Sequence, residues 1–167
     1  MKTNHMYAAA KTWNPFKGCR FDCVYCKPSF QAQAKRQLHN CRLCYEFRPH
    51  EHPERLGRLP ASPIVFVAGN GDISFAAPAY VRRILAAIAA RGGDQTFYLQ
   101  SKEPACFTQH IGALSPTVAL VTTIETNRDE GYSHVSKAPP PSERYEQFLA
   151  LDYARKLAGV LIGHPEG

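Results

Sequence analysis

The chain has little that would carry it across a membrane and little that repeats. No apolar run in its 167 residues approaches the roughly 20 needed for a bilayer-spanning helix. Met1 to Ala10 lacks the apolar core of a signal peptide, so the expected location is cytoplasmic, with no membrane partner. No segment recurs at a fixed period, and the one low-complexity tract is Pro139-Pro140-Pro141, which sets aside solenoids and repeat arrays. Adjacent basic residues occur in pairs, as at Lys35-Arg36 and Arg82-Arg83, so a formal net charge of +6 builds no polybasic tract. That charge permits an anionic or nucleic-acid substrate, although a solvated surface explains it as simply.

Cysteine is what the sequence does supply. Six are present: Cys19, Cys23 and Cys26 in one tight group, Cys41 and Cys44 in another, and Cys106 alone. Two clusters in a reducing compartment fit metal ligation better than a disulfide framework. Cys106 has no partner in sequence and reads as a small buried hydrophobe.

The rest of the chain alternates short β-rich runs with amphipathic segments. Ile64-Val65-Phe66-Val67 lies between Pro63 and Gly69, as a buried parallel strand would. A helix is predicted from Pro78 to Arg91, with Val81, Ile84, Leu85 and Ile88 at i, i+3, i+4 and i+7 and Gly92-Gly93 beyond it. Thr96–Leu99 and Val118–Thr123 read as strands, with a short helix near Pro104 to Ile111 between them. Ser142 could cap a final helix through roughly Leu157, and 159–163 could begin one more strand; Tyr7 to Trp13 is the candidate first strand. Such alternation predicts an α/β fold of right-handed βαβ units, one domain over residues 1–167 with a Cys/His-rich insert at about 39–60. In parallel sheets, function collects at the carboxyl ends of strands. Polar residues fall there at Gly69-Asn70-Gly71-Asp72, at Gln100-Ser101-Lys102-Glu103 and at Thr123 to Asn127.

The first cysteine group has C-x3-C-x2-C spacing. On a tight loop this brings three thiolates to one iron–sulfur cluster and leaves any fourth iron free to bind a substrate or cofactor. The competing reading is a structural zinc site, which needs a fourth ligand from Cys41, Cys44 or a histidine. The second group, Cys41-x2-Cys44 followed by His50-Glu51-His52, offers a Cys2His2 set suited to zinc, and a long loop poor in apolar periodicity calls for such a clamp. His39 could replace one histidine. A second, auxiliary cluster is the alternative. Glu125, at the end of an apolar strand, and Lys102 could bind anions or cations at the rim, or pair with each other; Arg128 is a second candidate partner for Glu125.

The C-x3-C-x-aromatic-C run, with Tyr25 as the aromatic, resembles the signature of the radical S-adenosylmethionine enzymes. Thr12-Trp13-Asn14-Pro15 with Gly18-Cys19, Gly69 to Asp72, Leu99 to Lys102, Thr122 to Arg128 and Ser136 to Pro139 are similar to a phage-associated and archaeal branch of that superfamily with unassigned activity. The resemblance spans nearly the whole chain. It implies a partial (β/α) barrel, incomplete against the six-stranded core of the superfamily, with about four units and a fifth strand starting near the chain's end. An open sheet edge after the fourth strand would then favour self-association.

The same resemblance implies a 4Fe–4S cluster held by Cys19, Cys23 and Cys26, and S-adenosylmethionine chelated to the open iron. One electron from an external reductant would split the cofactor's carbon–sulfur bond, giving methionine and a 5′-deoxyadenosyl radical that abstracts hydrogen from an unidentified substrate. Tyr25 would lie near the adenine, and Gly69, Asn70, Gly71 and Asp72 near the methionine ammonium group, with Asp72 where glutamate is commoner. Glu125 would face the ribose. Two further classes stay open at this point: a zinc-stabilised module that binds nucleic acid or protein without catalysis, and a truncated, inactive homologue.

Overall fold

The computed structural model describes residues 9–160. A parallel sheet of five strands forms the frame: β1 (Ala10–Trp13), β4 (Ile64–Val67), β5 (Thr96–Gln100), β6 (Val118–Ile124) and β7 (Lys156–Val160). A small antiparallel pair, β2 (Phe16–Lys17) and β3 (His50–Glu51), stands beside it. Neighbours in the large sheet follow chain order without reversal, so the sheet has no switch point and every crossover runs the same way.

Alternation within the strands sorts the two faces. Val65, Val67, Phe97, Leu99 and Leu120 are buried on one face, while Phe66 and Tyr98 stack at 5.4 Å between ring centres on the other. Against the buried face lies α3 (Pro78–Arg91), a helix with Pro78 in its first turn and Gly92 at φ +60° past its end. Its spacing of apolar residues puts Tyr80, Val81, Ile84, Leu85 and Ile88 on the inner side. Each of these aliphatic side chains, fully buried, contributes about 1.5–3 kcal/mol. Two short helical pieces, α1 (Ala32–Ala34) and α2 (Arg42–Tyr45), belong to the region between β1 and β4, and a 3-10 run over Pro104–Ala113 links β5 to β6.

Strand one begins at Ala10, and the Tyr7–Ala8 part of the expected strand lies outside the described residues. The last helix, α4, runs Pro141–Leu149 rather than through Leu157. Residues 156–160 instead pair with β6, Leu120 opposite Lys156 and Ile124 opposite Val160. The fifth strand therefore lies three residues earlier than 159–163, and the edge after the fourth strand is covered rather than open. Ser142 is not the cap: Pro140 holds that position, and the Ser142 hydroxyl binds the Asp129 carboxylate.

Candidate functional site

Three strand ends, those of β4, β5 and β6, and one loop converge on a single cleft. The segment that follows β2 delivers Gly18 and the cysteine loop. Gly18 stands at φ +86°, and its N–H donates to the Asn70 carbonyl at 3.0 Å while its own carbonyl accepts from the Asp72 N–H at 3.2 Å. These bonds form an isolated parallel bridge between Gly18 and Gly71, so the loop is stapled to the end of β4. Both positions need glycine. A Cβ on Gly71 would stand 2.7 Å from the nitrogen and oxygen of Gly18, and one on Gly18 would stand 2.1 Å from the Arg48 carbonyl oxygen.

Cys19, Cys23, Cys26, Tyr25, Asp72 and Lys102 all line this cleft, a cavity of about 160 Å³ that Gly69, Gly71 and Thr123 also border. Asn70 faces a neighbouring cavity instead, and Glu125 lies behind Tyr25 and Lys102 rather than on the wall. All three cysteines are free thiols. Cys23 is buried and lies 3.1 Å from the Ser136 hydroxyl, and the Cys19 sulfur accepts the Phe21 N–H at 3.4 Å. Donation from Cys26 and from Ser136 pushes the Cys23 thiol down to about 5, whereas Cys26 is raised by giving that hydrogen bond and by burial. Burial, then the nearby Asp72 charge, pushes Cys19 up to about 12. Three sulfur donors border one hollow, with N–H and O–H partners at two of them. Cys41 and Cys44, which a zinc ion here would need as further ligands, are engaged elsewhere.

Asp72 is a strap between strands. Its Oδ1 accepts from the Ser74 N–H at 3.0 Å, the Ser74 hydroxyl at 2.8 Å and the Ser101 hydroxyl at 2.7 Å, and Oδ2 accepts from the Lys102 N–H at 2.8 Å. Burial raises its pKa and these donors oppose the rise. One lone pair of Oδ2 is left for a cation in the cleft.

Glu125 sits at the centre of a second knot. Tyr25 donates to its Oε1 at 2.6 Å and Tyr132 to Oε2 at 3.2 Å; Lys102 ion-pairs with Oε1, and the Nη1 of Arg144 with Oε2 at 2.8 Å. Arg144 is fully buried and also donates to the carbonyls of Thr123 and Pro139 and to the Tyr132 hydroxyl. Lys102 is thus a buried, paired lysine, not a solvated one, and burial followed by the Arg144 charge holds its ammonium down to about 8. Arg144 and the two phenylalanines of the cleft, Phe30 and Phe47, were not among the residues singled out by sequence. The sequence offered one signal for Arg144: it shares a helix face with Pro141 and Phe148, at i+3 and i−4 spacing, both buried.

The second metal candidate closes as its spacing suggests. The ligand atoms of Cys41, Cys44, His50 and His52 all lie within 4.8 Å of one another, and among the described residues this group could hold a metal ion. The His50 Nε2 is 3.4 Å from the Cys41 sulfur and 3.3 Å from that of Cys44; the His52 Nε2 is 3.3 Å from Cys44. A tetrahedral ion with sulfur at 2.3 Å and nitrogen near 2.05 Å separates S and N by about 3.6 Å, so the set is nearly closed around one ion and too compact for a cluster. Each imidazole turns its other nitrogen to a partner, His50 Nδ1 to the Arg48 carbonyl at 2.7 Å and His52 Nδ1 to Glu54 at 2.8 Å. That is the outer shell which orients histidine ligands. Burial lowers the His52 pKa and so favours the neutral, ligating form. His39 is exposed and outside the group. Ligands one residue apart need extended backbone, and the β2–β3 pairing supplies it.

No family model, no curated protein and no solved structure matches the chain.

Proposed function

We propose that the chain is a radical S-adenosylmethionine-type iron–sulfur enzyme acting on an unidentified substrate, and that a zinc ion occupies the Cys2His2 group. The observation that carries the reading is the shared cleft: the C-x3-C-x2-C thiols open onto the same hollow as the Gly69–Asp72 strand end and Lys102. Cys19, Cys23 and Cys26 would hold a 4Fe–4S cluster with one iron unligated by protein. When bound, cluster and cofactor together supply one-electron cleavage of a carbon–sulfur bond, fed by an external reductant, and hydrogen abstraction from the substrate.

The protein's own residues then have definite tasks. The free lone pair of Asp72 Oδ2 would meet an ammonium group, and the backbone at Gly69 and Gly71 borders the hollow in which the ligand would lie. Tyr25, fixed to Glu125 at 2.6 Å, would wall the adenine side. Lys102 is held by Glu125 and by Thr123 Oγ1 at 2.9 Å and would balance a carboxylate or another anion. The unreversed strand order of the large sheet agrees with a partial (β/α) barrel whose mouth is this cleft.

The Cys2His2 group also favours a second reading, a zinc-stabilised binding module without catalysis. Anaerobic reconstitution separates the two. The enzyme reading expects brown protein bleached by dithionite, iron and sulfide in cluster stoichiometry, and release of 5′-deoxyadenosine and methionine; Cys23→Ala should lose the iron. Colourless protein holding zinc alone supports the module. Brown protein that releases neither product marks an inactive homologue.

A further inference from the structure

The Cys2His2 group is tied to the cysteine loop by contacts that ligation of either metal does not itself require. The Cys19 N–H donates to the Phe47 carbonyl at 3.2 Å, and the His52 N–H to the Pro15 carbonyl at 2.7 Å. Between them, Phe16 pairs with Glu51 and Lys17 with His50. Gly18 lies against the Arg48 carbonyl with no room for a Cβ. Residues 47–52 thus run along 15–19, and Phe47 reaches the wall of the cleft itself. Yet this segment has almost no core of its own: from 39 to 55, Cys44 and His52 are the buried residues, and both are ligands.

We infer that Cys41, Cys44, His50 and His52 hold a resident zinc ion whose work is to fix the wall on which the Cys19 turn is built. The inference rests on the two-metal reading above. With the ion bound, the closed loop from 41 to 52 presents the Phe47 and Arg48 carbonyls at fixed positions, and these set the Gly18–Cys19 backbone. Without it, nothing apolar replaces the clamp, because the segment buries no hydrophobic side chain of its own. The Cys19 turn then loses its partner while the large sheet keeps its packing. None of the three cluster cysteines belongs to the zinc set, so losing one of them leaves all four zinc ligands in place.

Zinc content and amide exchange test this on the full chain. Zinc should be one per chain in the wild type and in Cys23→Ala, and absent in Cys44→Ser. In iron-free protein, peptides over residues 16–20 should exchange about tenfold faster in Cys44→Ser than in the wild type, while β5 peptides over 97–100 stay protected. Chelator-stripped wild type should repeat the pattern, which keeps the test alive if the variant does not accumulate. Iron uptake on reconstitution should fall severalfold in both. No zinc in the wild type overturns the site. Zinc present with unchanged exchange at 16–20 overturns the clamp. Faster exchange throughout, β5 included, in both samples also overturns it, because the ion would then hold the entire fold. A wild type that takes up no iron yet shows zinc and the local exchange response supports the clamp and sinks the cluster reading alone.

Discussion

The Tyr25 hydroxyl donates to Glu125 at 2.6 Å across 100 residues of sequence, joining the cysteine loop to the end of β6. Because Glu125 also holds Lys102 from the end of β5 and Arg144 from α4, one carboxylate fastens two strand ends and a helix to the loop. The aromatic residue inside the cysteine run therefore does structural work whether or not a cofactor lies beside it.

Replacing Glu125 by Gln should be costly. Arg144 is 0% and Lys102 12% exposed in their side chains, so the variant strands two buried cations. Removing one member of such a buried set costs about 3–5 kcal/mol. Tyr25→Phe deletes one hydrogen bond to a charged acceptor and should cost about 1.5–3 kcal/mol. Urea denaturation of the two variants checks the order; equal, small losses would mean that solvent screens the knot.

Gly71→Ala should separate loop docking from folding. The added Cβ meets backbone atoms of Gly18 at 2.7 Å, and backbone cannot swing aside as a side chain would. Circular dichroism should stay near that of the wild type while iron retained after reconstitution falls. Gly57→Ala, with nothing within 4 Å of its Cβ, is the control and should retain iron in full. Full iron in Gly71→Ala would show that the Gly18–Gly71 bridge does not position the cysteines.

What could be read from sequence followed from local pattern. The Ile64–Val67 run, the i, i+3, i+4, i+7 spacing of α3 and the spacing of the Cys2His2 group each carry their cause within a few residues, and each is where it was expected. The last helix was misjudged because apolar residues continue past Phe148 through Leu151 to Leu157; pairing of 156–160 with β6 outweighs that local pattern. Arg144 was passed over for a related reason, although its helix face carries Pro141 and Phe148. An arginine on a helix reads as solvated, and its burial is set by Glu125 on a distant strand. The sign and strand-end placement of Asp72 were legible, but the Ser101 and Lys102 donors that occupy it come from the neighbouring strand and appear only in the fold.

Asp72→Asn follows from those donors. Asparagine keeps one acceptor oxygen and turns an NH2 group toward N–H or hydroxyl donors that the carboxylate had satisfied. Leaving one of them unpaired in the interior should cost about 1–3 kcal/mol. Ser101→Ala removes one donor and leaves the carboxylate three others, so its cost should be smaller. Thermal unfolding of both variants gives the comparison, and a larger loss for Ser101→Ala would show that Asp72 is not the centre of the strap.

Lys102 gives the pH test. Burial, and then the Arg144 charge, lower its pKa from 10.5 to about 8, against the pull of Cys23, Asp72 and Cys26. Glu125 also pairs with it and Tyr25 lies under it, so these two join Arg144, Cys23, Asp72 and Cys26 as the groups that face its ammonium. A lysine whose folded value lies below its unfolded one carries its penalty in full below pH 8, where both states hold the proton. Between pH 8 and 10.5 the unfolded chain binds a proton that the folded chain has released, so stability rises with pH through that window. Subtracting the unfolding free energy of Lys102→Met from that of the wild type cancels titrations remote from the cleft and leaves Lys102 with the cysteines its charge acts on, Cys19, Cys23 and Cys26. The difference should climb by up to about 3 kcal/mol across the window. A difference that falls with pH instead would mean that the Glu125 ion pair outweighs burial, that Lys102 stays charged in the folded protein, and that the cleft presents a permanent cation to whatever binds there.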